Sequence, residues 1–305
     1  RSEINLARTT EVIVSSRGIS QGWRGATAGG SIFGMAIDDD EVGSFAYDGA
    51  YVRKLKHLEE TLSVAFSRFA DKAIGALGAQ PGENFRGPIL LPPDCVAEFL
   101  VPKILTASSA RNVRLGQSPL VDRLGSRIAC PGFELIEAGP GLSIFPLRPF
   151  DREGQTRQSM TLIEDGILRN FLHDSYEGRA AGIPSTAHAI GNASSLPSIG
   201  AEAIEIAAGT QSLSALEQMD RGVVLTRFSG SYNAASGDFS GVVKGGFLVI
   251  NGDKRPIQET TISGNIWTAL QGISGISKER ELLYGTRAMP WIRLEDISVI
   301  AGQSS

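Results

Sequence analysis

The sequence predicts an α+β, β-rich fold: two closely packed or intertwined domains with mainly antiparallel sheets and a few helices. Three observations carry this. Short apolar runs alternate with turn residues, as in Ser236-Gly237-Asp238-Phe239-Ser240-Gly241 followed by Gly245-Gly246-Phe247-Leu248-Val249-Ile250-Asn251-Gly252-Asp253. Glycine is abundant, 36 of 305 residues, and scattered rather than tandem, which reads as tight turns and bulges instead of linker. Helical periodicity is confined to a few segments.

In chain order, Glu11–Ser16 reads as a strand ended by Arg17-Gly18. Gly30–Ile37 is a second and Glu41–Tyr47 a third, together an antiparallel meander. Leu58, Leu62, Ala65, Phe66, Phe69, Ala73, Ile74 and Leu77 recur at spacings of three and four, so they share one face of a helix that Gly78 and Pro81 end. Residues 81–87 are the candidate domain boundary, giving an N-terminal α+β domain over 1–84 and a β-rich domain over 85–305. Arg86–Leu91 reads as a strand. Asp94 is placed to cap a second helix with Val96, Leu100 and Ile104 on one face, and Pro102 predicts a kink in it.

Further on, Met160–Arg169 reads as a hairpin with Asp165-Gly166 at the turn, and Asn251-Gly252-Asp253 as another turn. Asp174–Ala181 reads as a short helix ending at Gly182, and Leu213–Met219 and Asn265–Gln271 as two more. Ala187–Gly200 is small and polar and reads as a long surface loop. Strands resume at Gly222–Phe228, Gly241–Ile250 and Trp291–Ile300.

Composition excludes several classes. Hydrophobic content of 42% and charged content of 20% are ordinary for a soluble globular protein. A net charge of −4 argues against a surface built for nucleic acid. No apolar run reaches the length of a membrane span. The chain opens Arg1-Ser2-Glu3 with no Met and no signal-peptide core, which reads as a fragment or a processed form. Cys95 and Cys130 are its only cysteines, too few for a disulfide framework, so a reduced, cytoplasmic compartment is expected.

The residues show no complete catalytic constellation. His57, His173 and His188 are the only imidazoles, and no two stand one helical turn apart, as a zinc site on a helix needs. His57 reads as an exposed helix-start residue, and His173, beside Asp174, as a polar contact near a turn. Ser231 and Ser240 lie among glycines without a nearby His, the pattern of turns rather than of a nucleophile elbow. Cys95 stands where a helix N-terminus would lower its pKa, but such a position also suits a buried structural cysteine. No catalytic residue and no metal ligand is assigned. Asp151 and Glu153 could bind a metal or act as acid and base, or form a solvated turn before Gly154. Gly237, Asp238, Phe239 and Ser240 could face a substrate cleft or merely make a turn. These six are the candidate substrate-binding residues.

Several short pieces occur in a characteristic order. They are Phe150-Asp151-Arg152-Glu153-Gly154, Leu162-Ile163-Glu164-Asp165-Gly166-Ile167-Leu168, Gly182-Ile183-Pro184-Ser185-Thr186, Gly237-Asp238-Phe239-Ser240 and Thr261-Ile262-Ser263-Gly264-Asn265. In this order and spacing, from Leu120 to Gly302, the chain resembles the TldD/PmbA family, long called modulators of DNA gyrase. Members form cytosolic metallopeptidases, and TldD-type members carry His-Glu-x-x-x-His on the helix that here reads Asp94-Cys95-Val96-Ala97-Glu98-Phe99-Leu100-Val101-Pro102-Lys103. That helix has no His here, and no cysteine near the C-terminus completes a site.

The resemblance is therefore to the PmbA (TldE) type. It implies a subunit without its own metal, working with a TldD-type subunit that holds zinc, or as a homodimer, on peptides or unfolded protein. No membrane and no direct nucleic-acid contact is expected. The alternative it leaves is a regulatory binding protein of the gyrase-modulator kind with no role in proteolysis. Family members are longer, so the resemblance implies that the chain starts inside the N-terminal domain.

Overall fold

The computed structural model describes residues 1–139 and 147–302. It is an α+β, strand-rich fold with one large, mostly antiparallel sheet and small sheets beside it. The first unit is a three-stranded antiparallel sheet. Ser2–Val14 pairs along its length with Ser20–Gly34, which pairs in turn with Ala46–Val52. The strand expected at Glu11–Ser16 is thus the end of a longer one, whose first half is held by hydrogen bonds and is exposed to solvent. Glu41–Val42 forms only a two-residue pair with Ile37–Asp38, so the third expected strand begins at Ala46 instead.

The helix Leu58–Ile74 lies on this sheet and buries Leu62 and Ala65 against Ala50. Its periodicity sets that face. Close approach depends on Gly30: a Cβ there would stand 3.1 Å from Leu62 and 3.0 Å from the Glu3 carbonyl oxygen.

The large sheet is organised by Arg287–Ala301. This strand pairs antiparallel with Phe85–Leu91, Thr260–Asn265 and Ile273–Leu283, and parallel with Ile204–Ile206. A register shift between Leu294 and Ile297, with Asp296 at φ 61°, bends it from one partner toward another. The stretch expected as one strand over Gly241–Ile250 is two, Asp238–Val243 and Gly246–Ile250, because Gly245 at φ 71° turns the chain between them.

The hairpin turns fall where the sequence placed them. Asp165-Gly166 and Asn251-Gly252 all have positive φ, the turn geometry that matches strand twist. The helix Ser175–Ala181 is capped by Asp174, whose carboxylate accepts the Glu177 N–H, and ends on left-handed Gly182. Asn265 caps Ile266–Gln271 in the same way.

The helical segment 93–107 is packed into the main core, with Leu100 and Ile104 fully buried among strand residues such as Ile89 and Ile292. Burying each such side chain contributes about 2 kcal/mol. Its start differs from expectation. Pro92 is the N-cap and Pro93 the first helical residue, while Asp94 sits inside the first turn and is not the cap. Val96–Leu100 is a π turn, and Val101–Ala107 continues as α-helix through Pro102. A proline lacks the N–H that the carbonyl four residues back would accept, so the wider turn relieves the clash that a regular helix would suffer at Glu98.

Residues 187–200, expected as a surface loop, instead begin with buried Ala187, His188 and Ala189. They form a two-stranded pair, Ala189–Ile190 with Ser198–Ile199. His188 is drawn inward by Glu137, as its ring Nε2 contacts that carboxylate. Among the described residues, no helix is long and apolar enough to cross a membrane.

Candidate functional site

A cleft of about 620 Å³ opens where the first unit meets the large sheet. Tyr47, Asp48 and Tyr51 come from the small sheet, and Arg68 and Lys72 from the helix laid on it. Pro92 to Asp94 and the strand residues Phe247, Leu283 and Trp291 form the opposite wall. A second cavity of about 230 Å³ adjoins it and shares Tyr47, Asp94 and Thr226.

A ring of charges closes the floor. Arg68 donates twice to Asp48, at 2.8 and 3.1 Å, and lies 3.2 Å from Glu281. Lys72 donates to Asp48 at 3.1 Å and to Asp94 at 2.8 Å. Burial pushes the Asp48 carboxyl up, but Arg68 and Lys72 together outweigh it and hold the group below its usual range. Burial likewise pulls Lys72 down, and its two carboxylates override this and hold the ammonium above its usual range.

The sign for Asp48 follows from linkage. A depressed folded value stabilises the protein above the unfolded value near pH 4 and is lost as pH falls through the folded one. The gap in thermal midpoint between wild type and Asp48→Asn is therefore expected to be full at neutral pH and to close below about pH 4. A gap that persists undiminished in acid would show that Asp48 acts only by shape.

Glu98, on the π turn, accepts the Tyr47 hydroxyl at 2.7 Å and the Tyr284 hydroxyl. Burial and the Glu98 hydrogen bond push both phenols far above their usual range, so both stay protonated donors. π turns gather at functional sites because they re-aim side chains that a regular helix would point elsewhere.

Asp94, Cys95 and Glu98 do not fit a metal. Asp94 is occupied by Lys72 and by the Cys95 N–H at 2.9 Å, and Glu98 by two phenols. The Cys95 thiol is buried, and burial pushes it well up, so it is no thiolate ligand or nucleophile. Among the described residues, no group of three or more His, Cys, Asp or Glu side chains converges as metal ligands. What the cleft can do is bind. It offers apolar walls, fixed hydroxyls and charges, among them Glu281, whose carboxyl burial pushes up although Arg68 stands 3.2 Å away.

The candidate residues from the sequence fall in two other places. Asp151 is fully buried, and its carboxylate accepts the N–H groups of Glu153 and Gln155, each at 2.9 Å, and of Ala189 at 3.0 Å. Glu153 accepts the Ser175 N–H at 2.8 Å, the first residue of helix Ser175–Ala181. The pair thus staples a loop to a helix and a strand, and neither residue lines a cavity described above.

Asp238 is exposed and accepts from Asn265 at 2.9 Å and from the Ser236 hydroxyl at 2.7 Å, which holds its carboxyl below the usual range. Gly237 at φ 87° is required: a Cβ would meet the Trp267 ring at 2.4 Å. Ser240 lies opposite Ser231 on the strand pair. Phe239 is buried, with ring centroids 5.0 Å from Phe99 and 6.2 Å from Phe228. Those two rings do line the smaller cavity, so the turn backs that wall from behind.

The histidines also find their places. His57 is exposed at the start of its helix. His173 donates through its Nδ1–H to the Phe171 carbonyl oxygen, 3.0 Å away, and burial pulls its pKa down. Neither His173 nor His188 meets Ser231 or Ser240. His188 instead contacts Thr186, Nδ1 to Oγ1, at 2.7 Å. Tyr47, Asp48, Arg68, Lys72, Glu98 and Tyr284 were not singled out by the sequence. The signal that would have found part of this site is Asp94 and Glu98, two carboxylates four residues apart on an otherwise apolar helix.

The family model described as the PmbA/TldA metallopeptidase C-terminal domain matches residues 84–301. The chain is 28% identical over 237 residues to a metalloprotease PmbA homolog of Haemophilus influenzae, covering 77% of this chain and 50% of that protein. It is 30% identical over 216 residues to the metalloprotease PmbA of Escherichia coli O157:H7, covering 70% and 45%. The chain thus spans about half the length of these curated relatives. The crystal structure of TldE from Thermococcus kodakarensis superposes with a TM-score of 0.87 at 23% identity, covering 98% of this chain and 68% of that one.

Proposed function

The chain belongs to the PmbA/TldD metallopeptidase family, and on that premise we propose that it is a PmbA/TldE-like subunit of a two-component peptidase, binding peptide or unfolded protein while a TldD-type partner supplies zinc and cuts. One observation carries this reading. The helical segment beside the cleft spends its carboxylates, Asp94 and Glu98, on Lys72, Tyr47 and Tyr284, which leaves neither free to hold a metal. Long strands with free edges suit backbone pairing with an extended peptide, as on the exposed hairpin Ser2–Val14 and Ser20–Gly34. Two free, buried cysteines fit work in the cytoplasm. In this reading the Gly237 to Ser240 turn shapes the binding surface from behind it, through Phe239.

The test is reconstitution. Alone, the purified chain is expected to leave a fluorogenic unfolded peptide intact. Mixed with a TldD-type subunit, it is expected to co-elute on size exclusion and to raise cleavage that a chelator abolishes. Chelator-insensitive hydrolysis by the chain alone would overturn the proposal, as would partner activity indifferent to its presence.

A further inference from the structure

The smaller cavity holds two cations that have no anionic partner among the described residues. Arg227 leaves the end of Arg221–Leu225 and lays its guanidinium 5.9 Å from the Tyr47 ring centroid, with its Nε buried and without an acceptor. Lys103, from the helical segment, stands 4.8 Å from the Tyr232 ring centroid and makes no ion pair. Aromatic faces stabilise both cations but satisfy none of their N–H donors. A buried donor without an acceptor is costly, and a ligand that brings one removes the cost.

The carboxylates that line the cavity are already engaged. Asp94 is paired with Lys72, which it shares with Asp48, and Glu98 has its oxygens covered by two phenols. Arg227 and Lys103 are left as the lining groups without a paired anion among the described residues, and a carboxylate would bring two acceptor oxygens to them. The planar guanidinium also matches a carboxylate in shape. The cavity is small and walled by Phe99 and Phe228, and it opens into the larger cleft at Tyr47 and Thr226.

We propose that this cavity anchors the free C-terminal carboxylate of a peptide lying in the larger cleft, with Arg227 and Lys103 as the pair that receives it. The proposal rests on the reading of the cleft as a peptide site. It gives bound peptides a direction, with the carboxyl end beside the helical segment and the rest running along Phe247, Leu283 and Trp291.

The test uses the full chain and one unstructured peptide made twice, with a free C-terminal carboxylate and with a C-terminal amide. The acid is expected to bind at least about tenfold more tightly, equivalent to about 1.4 kcal/mol. Arg227→Gln or Lys103→Gln should reduce that ratio toward one and leave amide binding unchanged. Arg227→Lys keeps the charge and should retain part of the ratio; it also decides the question if Arg227→Gln fails to fold. Equal affinities for acid and amide overturn the anchor while leaving the cleft a peptide site. Failure of both peptides to bind overturns the anchor and the peptide reading together. Inorganic phosphate that binds Arg227-dependently, alongside equal acid and amide affinities, would reassign the cavity to phosphate.

Discussion

Glu137→Ala is expected to destabilise the chain by about 3–5 kcal/mol, the cost of breaking a buried charge cluster by removing one partner. Glu137 is 3% exposed. One of its oxygens accepts from Arg157 and from the Glu202 N–H, both at 3.0 Å, and the other contacts the His188 ring. Arg157 also lies 3.0 Å from Glu202, and Glu202 pairs with Arg148, which reaches Glu11 on the N-terminal hairpin. Removing Glu137 takes one acceptor from a buried guanidinium, which keeps Glu202 and the Phe150 carbonyl, and the carboxylate partner from a buried imidazole.

Surface pairs offer the contrast. Arg169–Glu164, about half exposed on both sides, should cost less than about 1 kcal/mol to remove. Urea unfolding measures both. Glu137→Gln, which keeps an acceptor, should lose less than Glu137→Ala. A loss below about 1 kcal/mol for Glu137→Ala would show that water replaces the carboxylate.

That cluster illustrates what the sequence could and could not disclose. Local rules read well. The helix Leu58–Ile74, the Asp165-Gly166 and Asn251-Gly252 turns, and the Asp174 and Gly182 caps all follow from residues within a few positions of each other. Strand lengths read less well, because Ser2–Val14 is held by its partner strand and hides little apolar surface, so burial leaves no alternating pattern to detect. His188 looked like loop because its partner, Glu137, lies 51 residues away.

The candidate site was less legible still, since its bonds join residues far beyond the reach of local patterns. Lys72 reaches Asp48 and Asp94 across 24 and 22 residues, and Tyr284 reaches Glu98 across 186. No periodicity encodes such pairs. The family resemblance drew attention to this helix by the histidines it lacks. It did not reveal that Asp94 and Glu98 are tied up in hydrogen bonds, which is the physical reason the helix does not suit a metal. The Gly237 to Ser240 motif was noticed for its turn residues. Its tie to the cleft runs through Phe239 and the two rings in front of it, a contact that only the packed core defines.

Asp151→Ala is the second variant with a large expected effect, a loss of at least about 3 kcal/mol, because it strands several backbone donors at once. Burial pushes the Asp151 carboxyl above its usual range even though three N–H groups pull it down. Ala189 would be left with a buried N–H and no acceptor, and Glu153 and Gln155 with partly buried ones. Asp151→Asn should fall between, because its amide oxygen can keep two of these bonds while its NH₂ group must face a third donor. The same two variants separate a structural role from a binding one. Measured at a temperature where both remain folded, peptide affinity is expected to match wild type, since the carboxylate points into the loop and away from both cavities. If Asp151→Asn keeps the wild-type unfolding midpoint and yet loses peptide binding, the carboxylate touches substrate. The staple described here would then be secondary to that contact.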